Sequence, residues 1–368
     1  MKFVLFSDLH LDAQFGMPGL TEQAARGRRQ GLRDTLERII ELAQEVQADA
    51  LLCGGDLYEH ERCSPDTAAF LQVIFQRLQP LPIYVAPGNH DWLSPTGVYQ
   101  RTAWSSNVHI FGSGELQPVT LTEGITLWGA AHAAPANTGN FLEDFHVDRG
   151  GVHLALFHGA EQGWQTPSEQ ETLPHAPFWA TEIAEAGLQH AFLGHYHQPR
   201  DAERHTYPGN PAPLSFGETG ERGAVIVTVQ PDGSLRRERR RVTTVEVHDL
   251  SLDVTGCRSQ QEVRIRLAQA TEGKSGDVRI TIDGELAPDI DLRLPDLRMA
   301  APWLRALVVR SGDLRLGYDV TAIGREPTVR GQFVRDVQAD GRLTEQQRRR
   351  VLLTGLRALD GRQDLEAM

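Results

Sequence analysis

The feature that most constrains this chain is a junction that recurs five times before residue 200: a short apolar run breaks off into a cluster of His, Asp or Asn. "KFVLF" (2–6) runs into "SDLH", "DALLCGG" (49–55) stops at Asp56, and "PIYVAPG" (82–88) opens onto "NHD". "VHLALFHG" (152–159) carries His158, and "HAFLGHYH" (190–197) ends in His195 and His197. Apolar runs of this length bounded by turn residues read as buried strands. Between them, "GLRDTLERIIELAQEVQ" (31–47) sets Leu32, Leu36, Ile39, Ile40, Ala43 and Val46 at helical spacing, and "SPDTAAFLQVIFQRLQ" (64–79) opens with Ser64 as N-cap and Pro65 at the first helical position. Strand, helix and strand with crossovers of this length make a parallel sheet with helices outside.

Further strands at 108–112, 118–132 (a hairpin about Glu123 and Gly124) and 223–229, with a helix near 179–187, exceed what one sheet accommodates. The expected class is therefore α/β, a four-layer α/β/β/α sandwich over residues 1–242. After residue 243 the texture changes to a smaller α+β domain, 243–368. It shows a strand at 277–286, a hairpin at 306–320 about Ser311 to Asp313, and helices at 328–340 and 344–360.

In open α/β sheets ligands gather outside the carboxyl ends of the strands, so Asp8, His10, Asp56, Asn89, His90, Asp91, His158, His195 and His197 are expected to converge. Taken singly, each block has a bland reading. "GNHD" (88–91) is an ordinary polar turn, Gly54 and Gly55 only start a helix, and a lone His is usually a hydrogen-bonded structural residue. Taken together they form a metal-donor set. Imidazole mixed with carboxylate and amide oxygen, without thiolate, suits Mn²⁺, Fe²⁺ or Zn²⁺. So many donors exceed one tetrahedral site and fit two ions sharing a bridge, a pair ~3.5–4 Å apart that clamps an in-line phosphoryl displacement.

Composition narrows the partners. Cys53, Cys63 and Cys257 are odd in number and form no CxxC pair, against a disulfide framework or a thiolate zinc site. Net charge is −12 and lysine occurs only at Lys2 and Lys274, so a nucleic-acid partner needs a local basic surface or a metal site. "RGRRQGLR" (26–33) and "RRERRR" (236–241) are the densest basic runs, each readable as a solvated face or as phosphate contacts. No apolar stretch approaches the ~20 residues that span a bilayer, and "MKFVLF" is too short for a signal peptide, so a cytoplasmic protein without membrane attachment is expected.

D-x-H, G-G-D, G-N-H-D, F-H-G and G-H-x-H, in this order, resemble the calcineurin-like metallophosphoesterases over residues 1–230. "DLHLD", "GGDLYEHERCSPDTA" and "YPGNPAPLSFGETGERGAVIVTV" (207–229) are similar to the SbcD-like DNA repair nuclease branch. The resemblance implies two divalent ions, Mn²⁺ foremost. One would be held by Asp8, His10, Asp56 and His197, the other by Asp56, Asn89, His158 and His195, with Asp56 as bridge. It implies His90 as general acid with Asp91 orienting its ring, and His60 and Asn210 at the substrate. The implied activity is DNA exonuclease, with single-strand endonuclease activity beside it, in repair and recombination with an SbcC-like ATPase. A homodimer and a capping role for the C-terminal domain go with it.

One departure stands out: archaeal and eukaryotic members carry His three residues after the bridging aspartate, where this chain has Glu59, followed by His60. Two other readings share the motifs, a nucleotide or small-molecule phosphodiesterase or phosphatase, and a metal-stabilised scaffold. The complete donor set plus His90 weighs against a scaffold, which has no use for an acid. In the last helix, Val351, Leu352, Leu356 and Leu359 beside Arg348 to Arg350 read either as core or as a face for the ATPase.

Overall fold

The computed structural model describes residues 1–361 except 17–19, 165–173, 287–289 and 291. The chain divides into two compact units, Met1–Gly16 with Thr21–Glu246, and a second that comprises Val247–Met368.

The first unit holds two six-stranded sheets. Its strands are β1 (Lys2–Phe6), β2 (Ala50–Cys53), β3 (Ile83–Val85), β4 (Val108–Ile110), β5 (Gln117–Thr122), β6 (Ile125–Gly129), β7 (Val152–His158), β8 (His190–Gly194), β9 (Arg200–Asp201), β10 (His205–Tyr207), β11 (Ala224–Val229) and β12 (Leu235–Arg240). One sheet runs β12-β11-β1-β2-β3-β4, the other β5-β6-β7-β8-β10-β9. β1 to β4 are mutually parallel, as are β6, β7 and β8. Because parallel strands need crossovers, helices lie outside: α1 (Glu22–Glu45) packs on β1, with α2 (Pro65–Gln76) and α3 (Val98–Arg101) in the connections of the first sheet and α4 (Ala180–Glu185) beside β8 in the second.

Phe3, Leu5 and Leu52 from the first sheet meet Leu127, Leu154, Leu156 and Phe192 from the second in one buried cluster between the sheets. A further cluster joins Ala155, Phe157 and Leu193 to Phe178 and Ile183 on the second sheet's far side. These layers make the α/β/β/α sandwich that the alternating pattern predicts.

Local chemistry accounts for the element boundaries. Ser64 Oγ accepts from Thr67 N at 3.1 Å and Pro65 follows it, the cap the sequence predicts. α1 starts well before residue 31, because Thr21 Oγ1 caps it by accepting from Ala24 N. Gly27 and Gly31 dilute the helical signal there, and Gly31 has a packing reason: a Cβ would lie 2.6 Å from Val245 Cγ2. With Thr243 also bonded to Thr35 at 3.1 Å, the first unit continues past residue 242 through Glu246.

The second unit contains β13 (Val247–Asp253), β14 (Asp277–Leu286) and β15 (Ala306–Leu316) in one parallel sheet, with α5 (Gln260–Ala270) and α6 (Leu294–Leu297). The expected hairpin at 306–320 is overturned: residues 306–316 are one strand paired along β14. Gly312 is needed for close approach, since a Cβ there would meet Asp283 Oδ1 at 2.1 Å, and Asp313 N donates to that same oxygen at 2.8 Å. α7 (Val320–Gly324), α8 (Val329–Ala339) and α9 (Glu345–Leu359) enclose a separate small core. Leu352 and Leu356 pack there with Val334 and Val337, whereas Val351 and Leu359 stay exposed. Among the described residues no helix is long and apolar enough to cross a membrane.

Candidate metal centre

The site forms where β1, β2 and β3 of one sheet and β7 and β8 of the other end on the same side. Asp8, His10, Asp56 and His195 all have positive φ, at 54°, 51°, 52° and 115°. Such backbone is unfavourable for side chains beyond Asn, Asp and His, and persists where surrounding bonds enforce it. Here they do: Asp8 N donates to Gly55 O and His10 N to Asp56 O, at 2.9 and 3.0 Å. His195 N donates to Asp8 Oδ1 at 3.0 Å, which ties the end of β8 to the end of β1 across the two sheets.

The donor atoms of Asp8, His10 and His197 lie within 4.8 Å of one another, and the same holds for Asp8, Asp56 and His158 and for His10, Asp56 and His90. Asp56 Oδ2 sits between two imidazoles, 3.7 Å from His10 Nε2 and 3.3 Å from His158 Nε2. Asn89 Oδ1 is 3.0 Å from His158 Nε2, and the His195 ring stands edge-on to His158 at 5.3 Å between centroids.

The chemistry of these contacts fits bound cations. His10 Nδ1 is 2.8 Å from Glu59 Oε1, and His197 Nδ1 is 2.9 Å from Glu218 Oε1. Each carboxylate fixes the Nδ1–H tautomer and leaves a lone pair on Nε2, the arrangement found behind metal-bound histidines. Those two Nε2 atoms face each other at 3.2 Å. His158 repeats the logic: Nδ1 donates to Gly54 O at 3.0 Å, so its Nε2 lone pair meets Asn89 Oδ1 and Asp56 Oδ2. Acceptors converging in this way, largely out of water, call for positive charge between them.

Without a metal, protons answer part of that need. Burial opposes charging His197, but Glu218, Asp8 and Asp56 raise its pKa above the ordinary imidazole value. His90 is raised to about 9, its burial outweighed by the bond to Glu59 and the charges of Asp56, Glu59 and Asp91. His158 and His195 are instead held near 3, chiefly by burial.

Not every expected role survives. Asp91 does not orient His90: its Oδ1 accepts from Asp56 N and Gly88 N, and its Oδ2 from Leu57 N and Tyr99 OH, at 2.5 to 3.1 Å. It is a buried clamp that shapes the turn holding Asp56 and Asn89, with its pKa raised to about 6 by burial and then by Asp56. The carboxylate on the His90 ring is Glu59, with Oε2 3.0 Å from Nδ1. Asn210, expected at the substrate, is bonded elsewhere. It is fully buried, its amide donates to Glu218 Oε2 at 2.6 Å, and its oxygen accepts from Arg222. It braces the carboxylate behind His197.

Glu59 and Glu218 are the residues that motif spacing misses, since nothing in a linear pattern says which carboxylate lies behind a histidine. Most arginines of the basic runs are bonded within the protein, while Arg236 faces solvent on β12. Arg28 is buried against Phe15 and bonds Pro213 O, Arg29 reaches Glu22, and Arg33 reaches Asp66 at 2.6 Å. Arg237 and Arg239 turn inward from β12 onto the carbonyls of Ala202 and Pro208, while Arg240 and Arg241 pair with Glu238 and Glu246.

A two-sheet sandwich whose strand ends from both sheets meet in a histidine–carboxylate cluster is the layout of a metal-dependent phosphoesterase. The chain belongs to the calcineurin-like phosphoesterase family, whose model matches residues 1–208. It is 29% identical over 267 residues, 69% of this chain, to the uncharacterized metallophosphoesterase YhaO of Bacillus subtilis, and spans 64% of that protein. It is 29% identical over 308 residues, 73% of this chain, to the DNA double-strand break repair protein Mre11 of Methanopyrus kandleri, and spans 62% of it. It thus covers less than two thirds of either relative. Among solved structures it is similar to TT1561 of Thermus thermophilus at 14% identity and a TM-score of 0.38, over 65% of this chain and 98% of that one.

Proposed function

We propose that this protein is a two-metal phosphodiesterase that cuts DNA, as an SbcD-like repair exonuclease with single-strand endonuclease activity beside it, working in the cytoplasm with an SbcC-like ATPase. The observation that carries the metal-dependent chemistry is the position of Asp56 Oδ2 between the Nε2 atoms of His10 and His158. Asp8, His10, Asp56 and His197 would hold one ion, and Asp56, Asn89, His158 and His195 the other. Two bound divalent cations, Mn²⁺ in this reading, supply Lewis-acid stabilisation to an in-line displacement at phosphorus. The chain's own residues do the rest. His90 is the most accessible of the clustered imidazoles, its side chain 45% exposed. With Nδ1 on Glu59, its Nε2 is the atom left to give a proton to the leaving oxygen. His60 donates its backbone N–H to His90 O at 2.8 Å and its ring leans on Trp92, 4.1 Å between centroids; in this reading it is a phosphate contact beside the acid. DNA as substrate draws on the similarity to the repair protein, and the three free cysteines suit a reducing compartment.

The internal pairing of the arginine runs favours a second reading, a nucleotide or small-molecule phosphodiesterase on the same site. Labelled duplex DNA, bis(p-nitrophenyl) phosphate and a cyclic nucleotide, each incubated with the protein and Mn²⁺, separate the two. The nuclease reading expects DNA degradation that His90→Ala abolishes while Mn²⁺ stays bound. Intact DNA alongside efficient turnover of the cyclic nucleotide overturns it.

A further inference from the structure

One carboxylate serves two histidines with different tasks. Glu59 Oε1 lies 2.8 Å from Nδ1 of His10, and Oε2 lies 3.0 Å from Nδ1 of His90. The two rings stand edge-on, 4.8 Å between centroids. Glu59 is itself fixed, its backbone N–H donating to Leu11 O at 2.9 Å and its side chain only 19% exposed. A carboxylate has two acceptor oxygens, and both are committed here.

We infer that Glu59 is a positioning residue that couples metal loading to acid presentation. Through Oε1 it holds His10 as the Nδ1–H tautomer, whose Nε2 lone pair would face the first ion, and through Oε2 it holds His90 as the imidazolium, whose Nε2–H is left for the leaving group. The inference rests on the phosphodiesterase reading for its second half only. A histidine in this place would have one acceptor nitrogen at most and could not serve both rings in this way.

The test uses the full-length chain and the variants Glu59→Ala and Glu59→Gln, with folding followed by thermal melting. Isothermal titration with Mn²⁺ alone reads the first half. Loss of the group behind a metal-bound histidine should weaken binding about 10-fold or more in Glu59→Ala. Hydrolysis of bis(p-nitrophenyl) phosphate and of diphenyl phosphate reads the second. Phenoxide is the more basic leaving group and depends more on the acid, so kcat for diphenyl phosphate should fall about 10-fold further than for the nitrophenyl ester. Glu59→Gln keeps one acceptor oxygen in nearly the same shape and should retain only one of the two functions. Unchanged Mn²⁺ affinity in Glu59→Ala overturns the metal half, and equal losses on the two esters overturn the acid half. If the wild-type protein with Mn²⁺ cleaves neither ester, the phosphodiesterase reading falls and takes the acid half with it. The metal half then stands or falls on the titration alone.

Discussion

At the level of single residues the centre is a competition between protons and cations for the same lone pairs. Metal binding needs an unprotonated Nε2 on His197, whose pKa lies above the ordinary 6.5 because Glu218, Asp8 and Asp56 outweigh its burial. As pH rises from 6.5 the metal-free protein gives up that proton more readily, so Mn²⁺ affinity should climb. The stability of the metal-free protein should move the other way. His90 and His197 have folded pKa values above their unfolded ones, so their contribution is complete below 6.5 and is lost as pH rises, for His90 through about 9. Calorimetric titration at several pH values and melting of the metal-free protein check both limbs, and Mn²⁺ affinity that ignores pH sinks the argument. His90→Ala should lower kcat by about 10² to 10⁴ while leaving Mn²⁺ uptake intact, because the acid touches substrate and holds no ion. These donors were legible in the sequence because each stands at the end of a strand or within four residues of it. The resemblance implies Asp91 as the orienter, yet its bonds run to Leu57 N, Gly88 N and Tyr99, and only the fold brings Glu59 to the imidazole.

At the level of elements, the donors meet because two sheets touch where β2 and β8 end. Gly54 and Gly194 form that contact: a Cβ on Gly194 would sit 2.1 Å from Gly54 O and 2.7 Å from His158 Nδ1. The obstacle is backbone, so Gly194→Ala must push the sheet ends apart. Overpacking of this kind costs about 1–3 kcal/mol, which for a unit of this size lowers Tm by roughly 2–12 °C. Because His158 and His195 lie directly beside the displaced backbone, Mn²⁺ stoichiometry should drop from two to one. Gly139→Ala, where an added Cβ meets nothing within 4 Å, is the control and should change neither. Equal melting of Gly194→Ala and wild type would show that the sheets do not set the site. Strands and helices of this unit could be read because apolar period and turn residues agree, as at the β5–β6 hairpin, where Gly124 adopts φ 78°. Ser311 to Asp313 gave the same turn signal falsely. Gly312 is there to admit Asp283, a cross-strand contact that local sequence cannot announce.

At the level of the whole molecule, charge bears most directly on the substrate. A protein of net charge −12 is repelled by a phosphate backbone unless cations stand free to meet it. Arg28, Arg29, Arg33, Arg237, Arg239, Arg240 and Arg241 are all bonded within the protein. The sequence displays these runs plainly; what it hides is that β12 alternates, with Arg237 and Arg239 on its inward side. Phosphate recognition should therefore depend on the metal centre rather than on a basic track. In EDTA, duplex DNA should show no measurable binding at moderate salt, and added Mn²⁺ should restore it. Each phosphate neutralised by a cationic side chain contributes about −0.9 to the slope of log K against log salt for duplex DNA. With every arginine of the two runs but Arg236 already bonded, that slope should be shallower than about −3, with the metal held constant. A slope near about −6 or steeper would mean that several side chains leave their present partners to grip the backbone, because ion pairs at partly exposed arginines are worth little and can be exchanged. The slope thus measures whether DNA is met by the metal centre alone or by a surface that rearranges to receive it.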